Sequence, residues 1–200
     1  MKLYYSKGAC SLGVRILINE LGLDVEYESV NLKSKTTERG DDFLAINPKG
    51  AVPVLEITPE KRLTENVVIL QYLADAHNAA SLLPAVGDLK RYRILEICNY
   101  LSSEAHKTIG ILFNPAVTEE MKEKIIIPAI HQKLNYLNSI VKDNSFAAGS
   151  HFTIADGYFY VILSWLPHFK IDLNHWPALY AYFHRMSEYP AVMRSLKEEQ

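Results

Sequence analysis

Apolar and polar residues recur with two different periods along this chain, and the change of period divides it. Lys2-Leu3-Tyr4-Tyr5 reads as a short strand, Gly8 as a turn, and Val14, Leu17, Ile18 and Leu21 fall at helical spacing. Gly22 stands where that helix should end, and Val25 to Val30 alternates as a second strand. A strand, a helix and a strand in succession predict a βαβ unit with parallel strands and a right-handed crossover. Asp41 to Ile46 reads as a short helix stopped by Asn47-Pro48-Lys49-Gly50, and Val52 to Ile57 as a strand whose second residue is proline. After the turn Thr58-Pro59-Glu60-Lys61, Arg62-Leu63 predicts a brief return strand, and Thr64-Glu65-Asn66 opens a helix with Val67, Leu70, Leu73 and Ala74 on one face. The order is βαβαββα, with three or four strands and helices on both faces.

Residues 78–88, with Asn78, Ser81, Pro84 and Gly87, read as a linker, and everything from 89 to 200 has helical period only. Ile94, Cys98, Leu101, Ala105, Ile109 and Leu112 form one core stripe. A second long helix is predicted over 117–142, begun by Thr118 and kinked by Pro128, with His131 structural or solvated. Thr153-Ile154-Ala155-Asp156 reads as a capping box, which assigns Asp156 to folding. The fold class predicted is thus an α/β domain over 1–77 followed by an all-α bundle over 89–200.

Composition narrows the chemistry. The 200 residues are 48% hydrophobic and carry a formal net charge of -2, without a Lys/Arg run interleaved with aromatics, so a nucleic-acid partner is not expected. Two cysteines fit a reducing compartment, and without a signal-type or membrane-length apolar run the expected location is cytoplasmic, with no membrane partner. The seven histidines show no metal-ligand spacing, so no metal is expected.

Cys10, at the junction of the first strand and the first helix, is the residue with the most chemistry to offer. A helix N-terminus favours negative charge and should make its thiol ionise more readily, whereas an unpaired cysteine is also a small packing residue; these two readings stand level. A cysteine there at the end of the first strand gives the thioredoxin-like pattern, but Gly13 occupies the place of a second cysteine, which leaves single-thiol chemistry or thiol binding. Spacing favours a trans Val52-Pro53 bond; a cis bond would turn the Val52 backbone outward as a docking edge for a peptide-like ligand. Glu65 is sufficiently explained by the helix dipole. Asn99, Ser103 and His106, spaced i, i+4 and i+7 with Lys107 beside them, form either a solvated face or a row pointing into a crevice between domains.

As an ordered set, Lys2-Leu3-Tyr4-Tyr5, Gly8-Ala9-Cys10-Ser11, Phe43 to Gly50, Val52-Pro53-Val54-Leu55, Leu63-Thr64-Glu65, Gln71 to Asp75, and Asn99 through Lys107 resemble the cytosolic glutathione transferases, specifically their bacterial beta class. That resemblance covers essentially the whole chain. It implies an N-terminal thioredoxin-like domain that binds glutathione as co-substrate, a helical domain carrying the site for a hydrophobic electrophile, and a homodimer. Cys10, beside Ala9, then faces the glutathione sulfur and is able to form a mixed disulfide with it, and His106 faces it from the helical domain. Val52 and Pro53 match a cis pair that bonds the cysteinyl part, which reverses the preference for trans. Glu65 and the amide of Asn66 match the γ-glutamyl site, and Lys35, Asn99, Ser103 and Lys107 match polar contacts around the tripeptide. Ile111, Leu112, Phe113 and Trp165 are the expected electrophile pocket.

Two positions depart from the family pattern, Lys7 where many members carry proline and Asn66 where a small residue is common. The activity implied is conjugation of glutathione to electrophilic small molecules, with thiol transfer or peroxide reduction through Cys10 as a variant. The alternatives are a glutathione-dependent isomerase or reductive dehalogenase, or a non-catalytic ligand-binding protein on the same fold.

Overall fold

The computed structural model describes residues 1–200. Its first half is a five-stranded mixed sheet built from β1 (Lys2–Tyr5), β2 (Glu26–Asn31), β3 (Thr36–Thr37), β4 (Val54–Thr58) and β5 (Lys61–Thr64), in the order β3-β2-β1-β4-β5. β1 is parallel to β2 and antiparallel to β4, and β4 is antiparallel to β5. The sheet therefore has one strand more than the pattern predicted. β3 is two residues long, too short to show an alternation.

The side chains of β1 alternate between two cores. Leu3, paired with Leu55, joins the large cluster that contains α1 (Ser11–Glu20) and α3 (Asn66–Ala76), whereas Tyr4 joins Val30, Phe43, Val52 and Val54 on the opposite face under α2 (Phe43–Ile46). Period two along a buried strand has this consequence. Gly22, at φ +63, ends α1, and the Leu23 amide bonds back to Ile18.

The second half is helical. α4 (Leu89–Tyr100) passes through a π-turn at Leu101–Ala105 into α5 (His106–Gly110) and a 3-10 turn at Ile111–Phe113. All six residues of the expected core stripe are buried, Cys98 completely. α6 (Glu119–Met121), capped by the Thr118 hydroxyl, runs through a π-turn at Lys122–Ile126 into α7 (Ile127–Val141). That π-turn lies directly before Pro128, whose ring removes one donor from the ladder. α8 (Ile154–Ser164) is almost wholly buried, and α9 (Pro177–Ser187) and α10 (Pro190–Glu198) close the bundle. Both sides of the capping box on α8 are made, and Asp156 also accepts from Ala147 N and Tyr182 Oη, so its carboxylate is consumed by the fold. No helix is long and apolar enough to cross a membrane.

The halves share a core in which α1 packs on both α8 and α10. α1 approaches α8 at Gly13 and Gly157, so closely that a Cβ on Gly13 would stand 3.1 Å from Tyr158 Cα. Arg91, buried on α4, adds a forked bond to the Asp75 carboxylate of α3 at 2.8 and 2.7 Å and a bond to the Pro84 carbonyl. The architecture is a thioredoxin-like domain joined to a helical domain.

Candidate active site

Two cavities meet at the end of β1. The first, of about 600 Å³, lies between the domains and is lined by Cys10, Val52, Pro53, Glu65 and Asn66 on one side and Asn99, Ser102, His106, Lys107 and Tyr158 on the other. The second, of about 540 Å³, shares Cys10, Val52 and His106 with the first and continues past Ala9, Lys35, Gly110, Phe113 and Trp165. The first is ringed by amides, hydroxyls and charges; the second is walled by an indole and a phenyl ring.

The Val52-Pro53 peptide is cis, as the family resemblance implied and the spacing alone did not. The Val52 carbonyl accepts the Cys10 thiol at 3.3 Å, and its N–H has no partner within the protein. This places one free backbone donor on the wall of the first cavity, next to the thiol. Asn66 opens α3 and donates its side-chain amide to the Cys10 carbonyl at 2.6 Å, while its Oδ1 is buried without a partner. The Asn66 side chain, a departure from the family pattern, thus ties the start of α1 to the start of α3. Glu65 takes φ +71, a left-handed value that costs a residue with a Cβ roughly 1 kcal/mol or more, and its exposed carboxylate pairs with Lys49. Lys35, also at positive φ, donates to the Gly50 carbonyl at 2.7 Å.

Cys10 does not carry the lowered pKa expected of a thiol at a helix N-terminus. Burial pushes it up to about 11, against the pull of the Asn66 amide and then of the Cys10 and Ser11 N–H groups, and the nearby Glu65 charge adds a smaller push upward. Desolvation of the thiolate outweighs the helix dipole, and the thiol keeps its proton as a donor to Val52. Gly13 cannot be the second cysteine of a dithiol pair for a steric reason, because any Cβ there meets the backbone of α8.

From the helical side, His106 places Nδ1 2.7 Å from the Tyr158 hydroxyl and packs edge-on against Trp165 at 4.8 Å between ring centres. Burial, then the Lys107 charge, lowers the pKa of His106, so the imidazole is neutral near pH 7. Trp165 in turn donates its indole N–H to the Gly8 carbonyl at 2.9 Å. The Lys7 side chain, where proline would stiffen the turn, reaches the Gln200 carbonyl at 3.1 Å.

Asn99, His106 and Lys107 face the crevice, but Ser103 is exposed outside it and Ser102 takes its place, bonded to the Asn99 carbonyl. The π-turn at Leu101–Ala105 breaks the α period at these two serines, so a count at regular spacing selects the wrong one. The expected apolar pocket is also corrected. Phe113 and Trp165 line the second cavity, whereas Leu112 is buried in the core and Ile111 points to solvent. Sequence reasoning missed Tyr158, Ser102 and Lys49. Tyr158 had one signal, a phenol on an otherwise apolar helix, because a buried hydroxyl requires a partner.

Comparison with known proteins agrees along the whole length. The models for the glutathione S-transferase N-terminal and C-terminal domains match residues 1–75 and 100–190. Glutathione S-transferase GstA of Escherichia coli O157:H7 is 41% identical over 199 residues, covering 100% of this chain and 98% of its own. A sphingomonad glutathione S-transferase complexed with glutathione superimposes with a TM-score of 0.94 at 42% identity, covering 100% of this chain and 98% of that one. The beta-class glutathione S-transferase of Sphingomonas chungbukensis does so with a TM-score of 0.94 at 40% identity, over 100% and 98% of the two chains. Matched by both domain models in order, and similar to bacterial beta-class structures from end to end, the chain belongs to the glutathione S-transferase family.

Proposed function

We propose that the protein conjugates glutathione to hydrophobic electrophiles at the junction of its two cavities. The observation that carries this reading is that a polar crevice and an aromatic-walled cavity share Cys10, Val52 and His106, so a thiol held in one meets a carbon centre held in the other. The Val52 N–H and C=O are suited to the cysteinyl unit as a short strand pairing. Glu65 and the free backbone N–H of Asn66, at the start of α3, are suited to the γ-glutamyl amine and carboxylate. Asn99, Ser102 and Lys107 supply the remaining polar contacts of the crevice, with Ser102 in the place first expected for Ser103, whereas Lys35 stands on the wall of the second cavity. Phe113 and Trp165 wall the electrophile's side.

In this arrangement Cys10 is a donor and not the attacking group. A thiol that keeps its proton to about pH 11 can give a hydrogen bond to a glutathione thiolate, and the His106 nitrogen turned away from Tyr158 can give a second. The glutathione sulfur then attacks the electrophile; the displaced electron pair departs with the halide of an aromatic halide, or stays on the oxygen of an enone or epoxide, which takes a proton from solvent. Thiol transfer is the variant open to the same geometry. Ionised Cys10 attacks one sulfur of a glutathione disulfide, a mixed disulfide forms, and a glutathione thiolate leaves, with the Cys10 proton passing to solvent.

Glutathione should raise the melting temperature in proportion to the logarithm of its concentration once the site is saturated. The purified protein should also conjugate it to members of a panel of aromatic halides, enones and epoxides. Loss of both results overturns the reading; thermal stabilisation without turnover points to the binding-protein alternative. We also infer a cytoplasmic homodimer, supported by the family and by a count of only two cysteines, unpaired with each other, and sedimentation should give twice the 22.7 kDa of one chain.

A further inference from the structure

The turn that delivers Cys10 to the crevice is held from outside its own domain through both polar groups of one residue. Gly8, at φ +69, donates its N–H to Glu199 Oε2 at 2.9 Å and accepts the Trp165 indole on its carbonyl at 2.9 Å. Bonds internal to the turn leave Gly8 untouched. The Ala9 amide bonds to the Ser6 carbonyl, and the Ser11 hydroxyl bridges the Ser6 N–H and carbonyl. The Ser6–Ala9 bond closes the turn around Lys7 and Gly8, but the N–H and C=O of Gly8 itself find partners only in the helical domain.

Glu199 follows α10 and is only 7% exposed. A buried carboxylate is costly unless it is paired and hydrogen-bonded. The two oxygens divide these conditions: Oε2 accepts the Gly8 amide, and Oε1 makes an ion pair but no hydrogen bond. Its second oxygen lies 3.3 Å from Nε of Arg15, which is 2% exposed and held between the Tyr5 and Tyr27 rings at 4.4 and 3.7 Å. Arg15 neutralises the charge, and the Gly8 amide takes the hydrogen bond. Arg15 is itself on α1, the helix that Cys10 begins, so Glu199 spans the turn and the helix it leads into.

We propose that Glu199 is a positioning residue for Cys10, acting through the Gly8 amide and anchored by Arg15, so that the end of the helical domain sets where the thiol of the first domain lies. The consequence for turnover rests on the reading of Cys10 as the group that meets the glutathione sulfur; the positioning itself does not.

The test uses the whole protein without glutathione. In the wild type, the Gly8 amide should exchange with deuterium slowly, because its partner is a buried carboxylate. Glu199→Ala should lose that protection and let iodoacetamide alkylate Cys10 roughly tenfold faster, the scale of one charge-assisted hydrogen bond. Cys98, wholly buried, should stay unlabelled. Glu199→Gln keeps an acceptor for Gly8 but loses the charge paired with Arg15, and should label more slowly than Glu199→Ala. Glu198→Ala removes contacts of the same segment to Asn19, Arg194 and, at 3.6 Å, Arg15, but none to Gly8, and should label as wild type. With glutathione and an electrophile, kcat/KM of Glu199→Ala should fall while that of Glu198→Ala does not. Two results overturn the proposal: a wild-type Gly8 amide that exchanges like an exposed one, or a folded Glu199→Ala protein whose Cys10 labels at the wild-type rate. The first needs no variant, so it decides the matter even if Glu199→Ala does not fold. Neither depends on conjugation, so a failure of the proposed function is seen separately, in a wild type that turns over no substrate.

Discussion

His106 and Tyr158, 52 residues apart in sequence, meet at 2.7 Å on the helical wall of the crevice. The Tyr158 hydroxyl has no other acceptor in the protein, and burial keeps its pKa well above that of a free phenol, so its proton goes to His106 Nδ1. The neutral imidazole then carries its own hydrogen on Nε2. Tyr158 thereby selects the nitrogen with which His106 can donate.

Tyr158→Phe should keep the ring packing and remove that selection. We expect kcat to fall by about tenfold with KM for glutathione little changed, the pattern of an interaction stronger in the transition state than in the ground state. Nitrogen chemical shifts of His106 should move from one tautomer to a mixture. A kcat equal to wild type would mean that the hydroxyl serves packing alone.

The lowered pKa of His106 has a sign that can be checked. As pH falls through the ordinary histidine value of 6.5, the unfolded chain takes up its proton before the folded one, so stability is lost below that pH and is fully present above it. Denaturant titrations from pH 7 to pH 5 should show this loss, and His106→Gln should flatten the corresponding part of the slope. An unchanged slope in the variant would place the loss elsewhere.

Alkylation of Cys10 without glutathione should report a thiol, not a thiolate. With its pKa pushed up to about 11, the labelling rate should climb by about tenfold per pH unit from 8 to 10 without levelling at 9. A plateau near neutral pH would restore the dipole-activated thiolate that the helix N-terminus suggested.

Gly13→Ala sets helix propensity against packing. Alanine stabilises a helix interior by about 1 kcal/mol over glycine, but forcing extra volume into a filled interface costs about 1–3 kcal/mol. Because the Cβ would meet the backbone of α8 at 3.1 Å, and a backbone in a buried helix does not move aside, packing should win and the melting temperature should drop. A stabilised protein would show that α1 and α8 can separate freely.

Arg91→Lys should weaken the joint between the domains. Lysine keeps the charge but cannot make the forked bond to Asp75 and the bond to Pro84 together, and a loss of about 1–2 kcal/mol is expected in chemical denaturation. Equal stability of the two proteins would assign the joint to apolar packing alone.

The sequence by itself determined what depends on near neighbours. The periods of β1, α1 and α3, the glycine that ends α1, the core stripe through Cys98 and the capping box of Thr153 and Asp156 are local events, each set by a few residues and their backbone angles. The ordered motifs also placed Cys10 and His106 on opposite sides of one crevice.

Only the tertiary structure decided the charge state of Cys10, because desolvation depends on Val52, Asn66 and Tyr158 closing around it from three distant segments. It also decided that Ser102 and not Ser103 faces the crevice, where a π-turn interrupts the period that a count relies on. Tyr158 and Glu199 entered the site in the same way. Neither belongs to a local pattern that marks it, and each acquires its role from a partner, His106 or Gly8, brought to it by the packing of α1 against α8 and α10.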